Sequence, residues 1–178
     1  YRQYNIPTPA SIVIDNLESL KEVDISNLNY PLVVKAQVQV GGRGKAGGIK
    51  VVNNYEEMSN ASNEILGMRI KDHIVEKLLI EEASVIEDEY YISFTLDRNE
   101  KQYLMILSAK GGMDIEEVAK NNPNDLVKLY IPPSKELDSE TINQAISDAK
   151  LSTVLWGELQ KIISSLYELF TIGDCDLV

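Results

Sequence analysis

Apolar and polar positions alternate in short runs through most of the chain, and helical spacing dominates only toward its C-terminal end. Ser11 to Asp15 reads as a short strand, and Leu17 to Val23 has the spacing of a short helix that Asp15 or Asn16 can cap. Leu32 to Gln37 and Gly48 to Val52 predict two further strands separated by a glycine-rich loop. A helix opens at Asn54, capped by Asn53 or Asn54, and runs to about Leu66, where Gly67 stops it. Val75 to Ile80 predicts a strand that leads into the acidic stretch Glu81 to Glu89. Tyr90 to Leu96 and Gln102 to Ser108 alternate on either side of Asp97 to Lys101, which predicts an antiparallel hairpin. Asp114 is placed to cap a short helix, with Glu117 completing a capping box. Asp125 to Ile131 predicts a strand ended by Pro132 and Pro133. Ser139 to Ala149 and Leu151 to Phe170 predict helices, the second with Val154, Leu155, Leu159, Ile162, Ile163, Leu166, Leu169 and Phe170 on one broad core-packing face.

One position breaks this pattern. Lys35 stands among Val33, Val34 and Ala36, and an ammonium carried toward a dry interior is costly unless an anion meets it. Gly41, Gly42, Gly44, Gly47 and Gly48 follow, freeing the backbone to adopt positive φ and to bring N–H groups near a ligand. Arg43, Lys45 and Lys50 add positive charge. Backbone donors, a fixed lysine and mobile cations are the parts of a polyphosphate cradle. The loop is not a Walker A motif, because no Gly-Lys-Ser/Thr closes it, and it lacks Gly-x-Gly-x-x-Gly spacing. A plain hairpin with solvated charges is the simpler structure for such a loop, but it has no use for a buried lysine.

Charge and composition narrow the possibilities. A formal net charge of −11 over 178 residues argues against general affinity for nucleic acid or an anionic membrane. The basic loop stands out against that field. Cys175 is the only cysteine, so no internal disulfide can form, and a reducing cytoplasm, or a mitochondrial matrix in a eukaryote, is expected. No apolar run approaches the roughly 18 residues of a membrane span. His73 is the single histidine and reads as an ordinary surface residue; no Ser–His–Asp, Cys–His or His/Cys metal set can be built. The lack of an initiator Met, and an end at Asp174 to Val178 that reads as a strand beginning, lead us to expect a segment of a longer chain trimmed at both ends.

The same residues carry a family resemblance. Val33-Val-Lys-Ala-Gln-Val38 followed by Gly41-Gly-Arg-Gly-Lys-Ala-Gly-Gly-Ile-Lys-Val-Val52 resembles the nucleotide-binding segment of succinyl-CoA synthetase beta subunits, which are ATP-grasp proteins. Tyr1 to Pro9 is similar to that family's Tyr-Gly-Ile-Pro-Thr-Pro turn, and Gly111 to Ala119 resembles its Gly-Gly-Val-Glu-Ile-Glu-x-Val-Ala element. The resemblance implies an α+β ATP-grasp fold of two α/β lobes with a nucleotide cleft between them. Residues 8–83 would form the N-terminal lobe with its phosphate loop, and residues 84–178 an incomplete C-terminal lobe.

It also implies roles. Lys35 would grip the phosphates of ATP or GTP, Gly42, Arg43 and Gly44 would enclose them, and Glu81, Ser84 and Glu89 would place the base and ribose. A carboxylate can accept hydrogen bonds from ribose hydroxyls, although acidic runs are more often solvated surface. The family's magnesium ligands fall beyond Val178, so this segment alone is expected to bind weakly and to catalyse nothing. In the whole enzyme, succinate, CoA and ATP or GTP give succinyl-CoA, NDP and phosphate through a phosphohistidine on a partner alpha subunit. Malate–CoA ligase and ATP-citrate lyase share the segment. Another acid–CoA ligase of this kind is therefore the nearest alternative, and a non-catalytic anion-binding or subunit-interaction module is the other.

Overall fold

The computed structural model describes residues 1–113 and 115–178, and the cap expected at Asp114 lies outside the described residues. The chain is α+β and divides into two compact units, Pro9–Val85 and a second made of Tyr1–Thr8 with Ile86–Val178.

In the unit Pro9–Val85, four antiparallel strands pair in the order β1-β6-β2-β3, where β1 is Ser11–Ile14, β2 Leu32–Gln37, β3 Ile49–Val52 and β6 Lys77–Glu82. The helices α1 (Leu17–Glu22) and α2 (Tyr55–Ile65) cover one face of the sheet. That face is closed because alternate strand residues point to it. Leu32, Val34, Ala36, Leu78 and Ile80 are fully buried there with Met58 and Ile65 of α2. Each of these leucine, valine, isoleucine and methionine side chains contributes roughly 1.5–3 kcal/mol by leaving water.

Both helix starts are capped as the sequence predicts, by Asn16 and Asn54. Asn54 accepts from the Glu57 N–H at 2.9 Å, while the Glu57 carboxylate reaches back to accept from the Asn53 N–H at 2.8 Å. These bonds satisfy donors that the first turn leaves orphaned. They also hold the Glu57 carboxyl below its ordinary pKa, the Asn53 backbone N–H being the main cause. A carboxylate held low stabilises the fold above its unfolded pKa and loses that effect as pH falls through the folded value. Replacing Asn54 with Ala should lower the unfolding free energy by about 1 kcal/mol, as read from urea titration. Replacing Glu57 with Gln should flatten the acid limb of stability below about pH 4.5.

One strand differs from the sequence-based expectation. Instead of running from Val75 to Ile80, it spans Lys77–Glu82, so Glu81 is a strand residue. Val75 pairs elsewhere: its N–H donates to Met68 and its carbonyl accepts from Gly67, extending a small hairpin of β4 (Arg69–Ile70) and β5 (His73–Ile74). Lys71 makes that turn with φ 52°, a left-handed conformation unusual for lysine. His73 is exposed on this hairpin.

In the other unit, β7 (Tyr91–Asp97), β8 (Gln102–Ser108) and β9 (Val127–Ile131) form an antiparallel sheet in that order. The helix α3 (Ile115–Asn121) lies between β8 and β9 in the chain, and α4 (Ser139–Asp148) and α5 (Trp156–Ile172) follow. Phe94, Met105, Leu107, Ile142, Ile146 and Ile163 are completely or almost completely buried in its core, which Ile6 of the N-terminal segment joins. The helix expected from Leu151 starts later, at Trp156, after a 3₁₀ turn at Thr153–Leu155. Val154 sits in that turn and is 89% exposed, so it leaves the apolar face to Leu159, Ile163, Leu166 and Phe170. At the C-terminal end, Val178 exchanges two backbone hydrogen bonds with Phe94, of 2.8 and 3.0 Å, beginning a pairing along β7.

Candidate functional site

The candidate residues gather first on the sheet face of Pro9–Val85 that the helices leave open. Strand alternation puts Val33, Lys35 and Gln37 of β2 on that side. The β2–β6 register pairs Val33 with Glu81 and Lys35 with Leu79, so Lys35 and Glu81 are diagonal neighbours on one face. The Lys35 ammonium and the Glu81 carboxylate form an ion pair with side chains 27% and 14% exposed. This corrects the expectation of a lysine driven toward a dry interior. Lys35 is half-buried on the open face, and the anion that meets it is Glu81.

Around the pair the surface is apolar. Val51 lies opposite Val33 and Ile49 opposite Lys35 on β3, and Val13 lies opposite Leu79 on β1. Val13 is 59% exposed and Val51 62%. A largely apolar sheet face that carries a lysine offers contact to an apolar part of a ligand and a charge to an anionic part. One of the three ammonium donors is engaged by Glu81.

The glycine-rich loop joins β2 to β3 as a set of nested turns. Ala46 donates a backbone hydrogen bond to Gly42, Gly47 to Gly44 and Gly48 to Arg43, and Gly48 in turn accepts from Ala36 at 2.7 Å. Gly42 takes φ 82° and lies exposed with Gly44. Gly48 is buried, and a Cβ on it would lie 2.7 Å from Ile70 and 3.1 Å from the Ala36 methyl group. Arg43 turns inward: its guanidinium donates to the Ala36 carbonyl at 3.0 Å, tying the loop to the end of β2. Loop closure therefore rests on Arg43 and Gly48, which the composition of the loop did not distinguish from its other members.

Beyond β6, Ala83 donates to the Pro31 carbonyl at 2.9 Å, and Ser84 next to it is exposed. Glu82, not singled out by the sequence, accepts from the Asn29 backbone N–H and side-chain amide at 2.7 and 2.8 Å. Lys35, Gly42, Arg43, Gly44, Glu81 and Ser84 thus all belong to one unit. Glu89 belongs to the other, where its backbone carbonyl accepts from the Gly111 N–H at 2.8 Å. Among the described residues, no group of three or more His, Cys, Asp or Glu is placed to hold a metal ion, and no helix is long and apolar enough to cross a membrane.

Comparison with known proteins bears on these features. The chain is 40% identical over 169 residues to the succinate–CoA ligase [ADP-forming] subunit beta of Halobacterium salinarum, covering 95% of this chain and 44% of that one. It is 38% identical over 178 residues to the corresponding subunit of Methanocaldococcus jannaschii, covering 48% of its length. The chain thus spans about half the length of these curated relatives. Among solved structures, a dinucleotide-forming acetyl-coenzyme A synthetase of Ca. Korarchaeum cryptofilum, in complex with coenzyme A and Ca-AMPCP, shares the fold. Its TM-score is 0.72 at 17% identity, over 99% of this chain and 79% of that one. The family model for the ATP-grasp domain matches residues 1–178. With strands, glycine loop and the whole of its length accounted for by that match, the chain belongs to the ATP-grasp domain family.

Proposed function

We propose that this chain is the nucleotide-binding part of the beta subunit of a succinate–CoA ligase. In the full heteromer, succinate, CoA and ATP or GTP would give succinyl-CoA, NDP and phosphate by way of a phosphohistidine on a partner alpha subunit. The observation that carries this reading is the half-buried Lys35 held by Glu81 on an apolar sheet face, one strand-end from the glycine loop. The names of the relatives, ADP-forming ligase subunits, support the nucleotide and the reaction class.

In this reading the roles divide by chemistry. Lys35 offers ammonium donors to the phosphates, and Glu81 keeps that ammonium in one place while no ligand is bound. Gly42 and Gly44 let the loop backbone approach the phosphate oxygens, and Arg43 holds the loop to β2. Glu81, Ser84 and Glu89 are assigned to the base and ribose. Magnesium would neutralise phosphate charge when bound. A soluble location, cytoplasmic or in the mitochondrial matrix of a eukaryote, goes with this reaction.

Thermal unfolding of the full-length chain with Mg-ATP, Mg-GTP and Mg-tripolyphosphate tests the reading. A ligand at about 100 times its Kd adds about 2.7 kcal/mol to the folded state. One nucleotide should raise the midpoint clearly more than tripolyphosphate does. Equal shifts would favour a simple anion-binding module, and no shift with any of the three would refute a nucleotide site. A related acid–CoA ligase such as malate–CoA ligase would be separated by the acid that supports turnover in the complete enzyme.

A further inference from the structure

Gly111 and Gly112 follow β8 and meet the segment that enters β7. A Cβ on Gly111 would lie 2.5 Å from the Glu89 carbonyl carbon and 2.7 Å from the Tyr90 nitrogen. Neither backbone can give way by that much, so only glycine admits the contact and its 2.8 Å hydrogen bond to Glu89. Gly112 has φ 67°, and a Cβ on it would lie 2.1 Å from Glu89 Oε2 and 3.0 Å from the carboxyl carbon. The Glu89 carboxylate therefore occupies the space that a side chain at position 112 would fill.

Glu89 is exposed, and an exposed glutamate ordinarily samples several rotamers at little cost. Here one glycine sets its backbone and the next receives its carboxylate. We propose that Gly111 and Gly112 are positioning residues, a seat that presents the Glu89 carboxylate to the hydroxyls of a nucleoside. The inference rests on the reading of Glu89 as a nucleotide-side residue, and it adds what fixes that residue and therefore what discriminates nucleotide from bare polyphosphate. A carboxylate held in place loses less rotamer freedom on accepting ribose hydroxyls, and it offers nothing to tripolyphosphate.

The two glycines separate in experiment. The clash of Gly112→Ala is with the far end of a flexible side chain, so this variant should fold and displace the carboxylate. Calorimetric titration of the full-length chain should show Gly112→Ala weakening Mg-ATP about tenfold, as loss of a charge-assisted hydrogen bond does, with Mg-tripolyphosphate unchanged. Glu89→Ala should weaken Mg-ATP similarly, and Gly112→Ala should cost almost nothing more in the Glu89→Ala background. Gly112→Asn, better tolerated at positive φ, replaces Gly112→Ala if that variant does not fold. An equal loss in both backgrounds, as backbone strain alone would cause, overturns the seat. Unchanged Mg-ATP binding by Glu89→Ala overturns it too while leaving the nucleotide site standing, whereas a parent chain that binds no Mg-ATP overturns both.

Discussion

Lys35→Met should weaken Mg-ATP binding at least tenfold in the full-length chain with its partner subunit, and a calorimetric Kd equal to the parent's would refute the lysine's role. The magnitude follows from the charge. A hydrogen bond to a charged group contributes about 1.5–3 kcal/mol, and every 1.4 kcal/mol is about a factor of ten in Kd. Methionine keeps most of the aliphatic stem, so the sheet face should stay packed and the unfolding midpoint should move little. The Glu81 carboxylate then loses its partner on a face where its side chain is only 14% exposed. That adds repulsion toward an incoming phosphate, so Lys35→Met combined with Glu81→Gln should recover part of the lost affinity. Recovery would show that Glu81 matters to the phosphates through Lys35, and its absence would place Glu81 at the base instead.

Phe94→Ala should destabilise the unit that holds β7, β8 and β9 by about 3–5 kcal/mol, the range for emptying a large aromatic site in a core. Phe94 is fully buried, its ring 5.6 Å from that of Tyr167 and 6.1 Å from that of Phe170. Its backbone also carries both hydrogen bonds to Val178, which alanine would keep. Trp156 is the only tryptophan and packs against this same core, which makes its fluorescence a direct reporter in urea titration. A transition displaced by less than about 1 kcal/mol would mean that the ring is not the keystone its burial indicates.

Much of this molecule was legible from local patterns. β2 and the β7–β8 pair fall almost where alternation puts them, and the Asn16 and Asn54 caps follow from short-range rules that need no tertiary context. Two elements start later than the pattern predicts. Val75 looks like the start of a strand, but Met68 and Gly67 claim its backbone for a hairpin, and the strand begins two residues later. Leu151 to Leu155 has helical spacing, yet the chain makes a 3₁₀ turn there and leaves Val154 in water.

The amino-acid sequence by itself determined the α+β alternation, the glycine loop with its cations, and the family to which these motifs belong, because each depends on residues adjacent in the chain. Only the tertiary structure decided which side of β2 is inside. Val33 and Val34 put an apolar side chain on each face, and α1 and α2 cover the face that carries Leu32, Val34 and Ala36. That packing left Lys35 on the open face, and the register with β6 brought Glu81 to it across 46 residues. The meeting of Gly112 with the Glu89 carboxylate is a contact of the same kind, between residues that no periodicity connects.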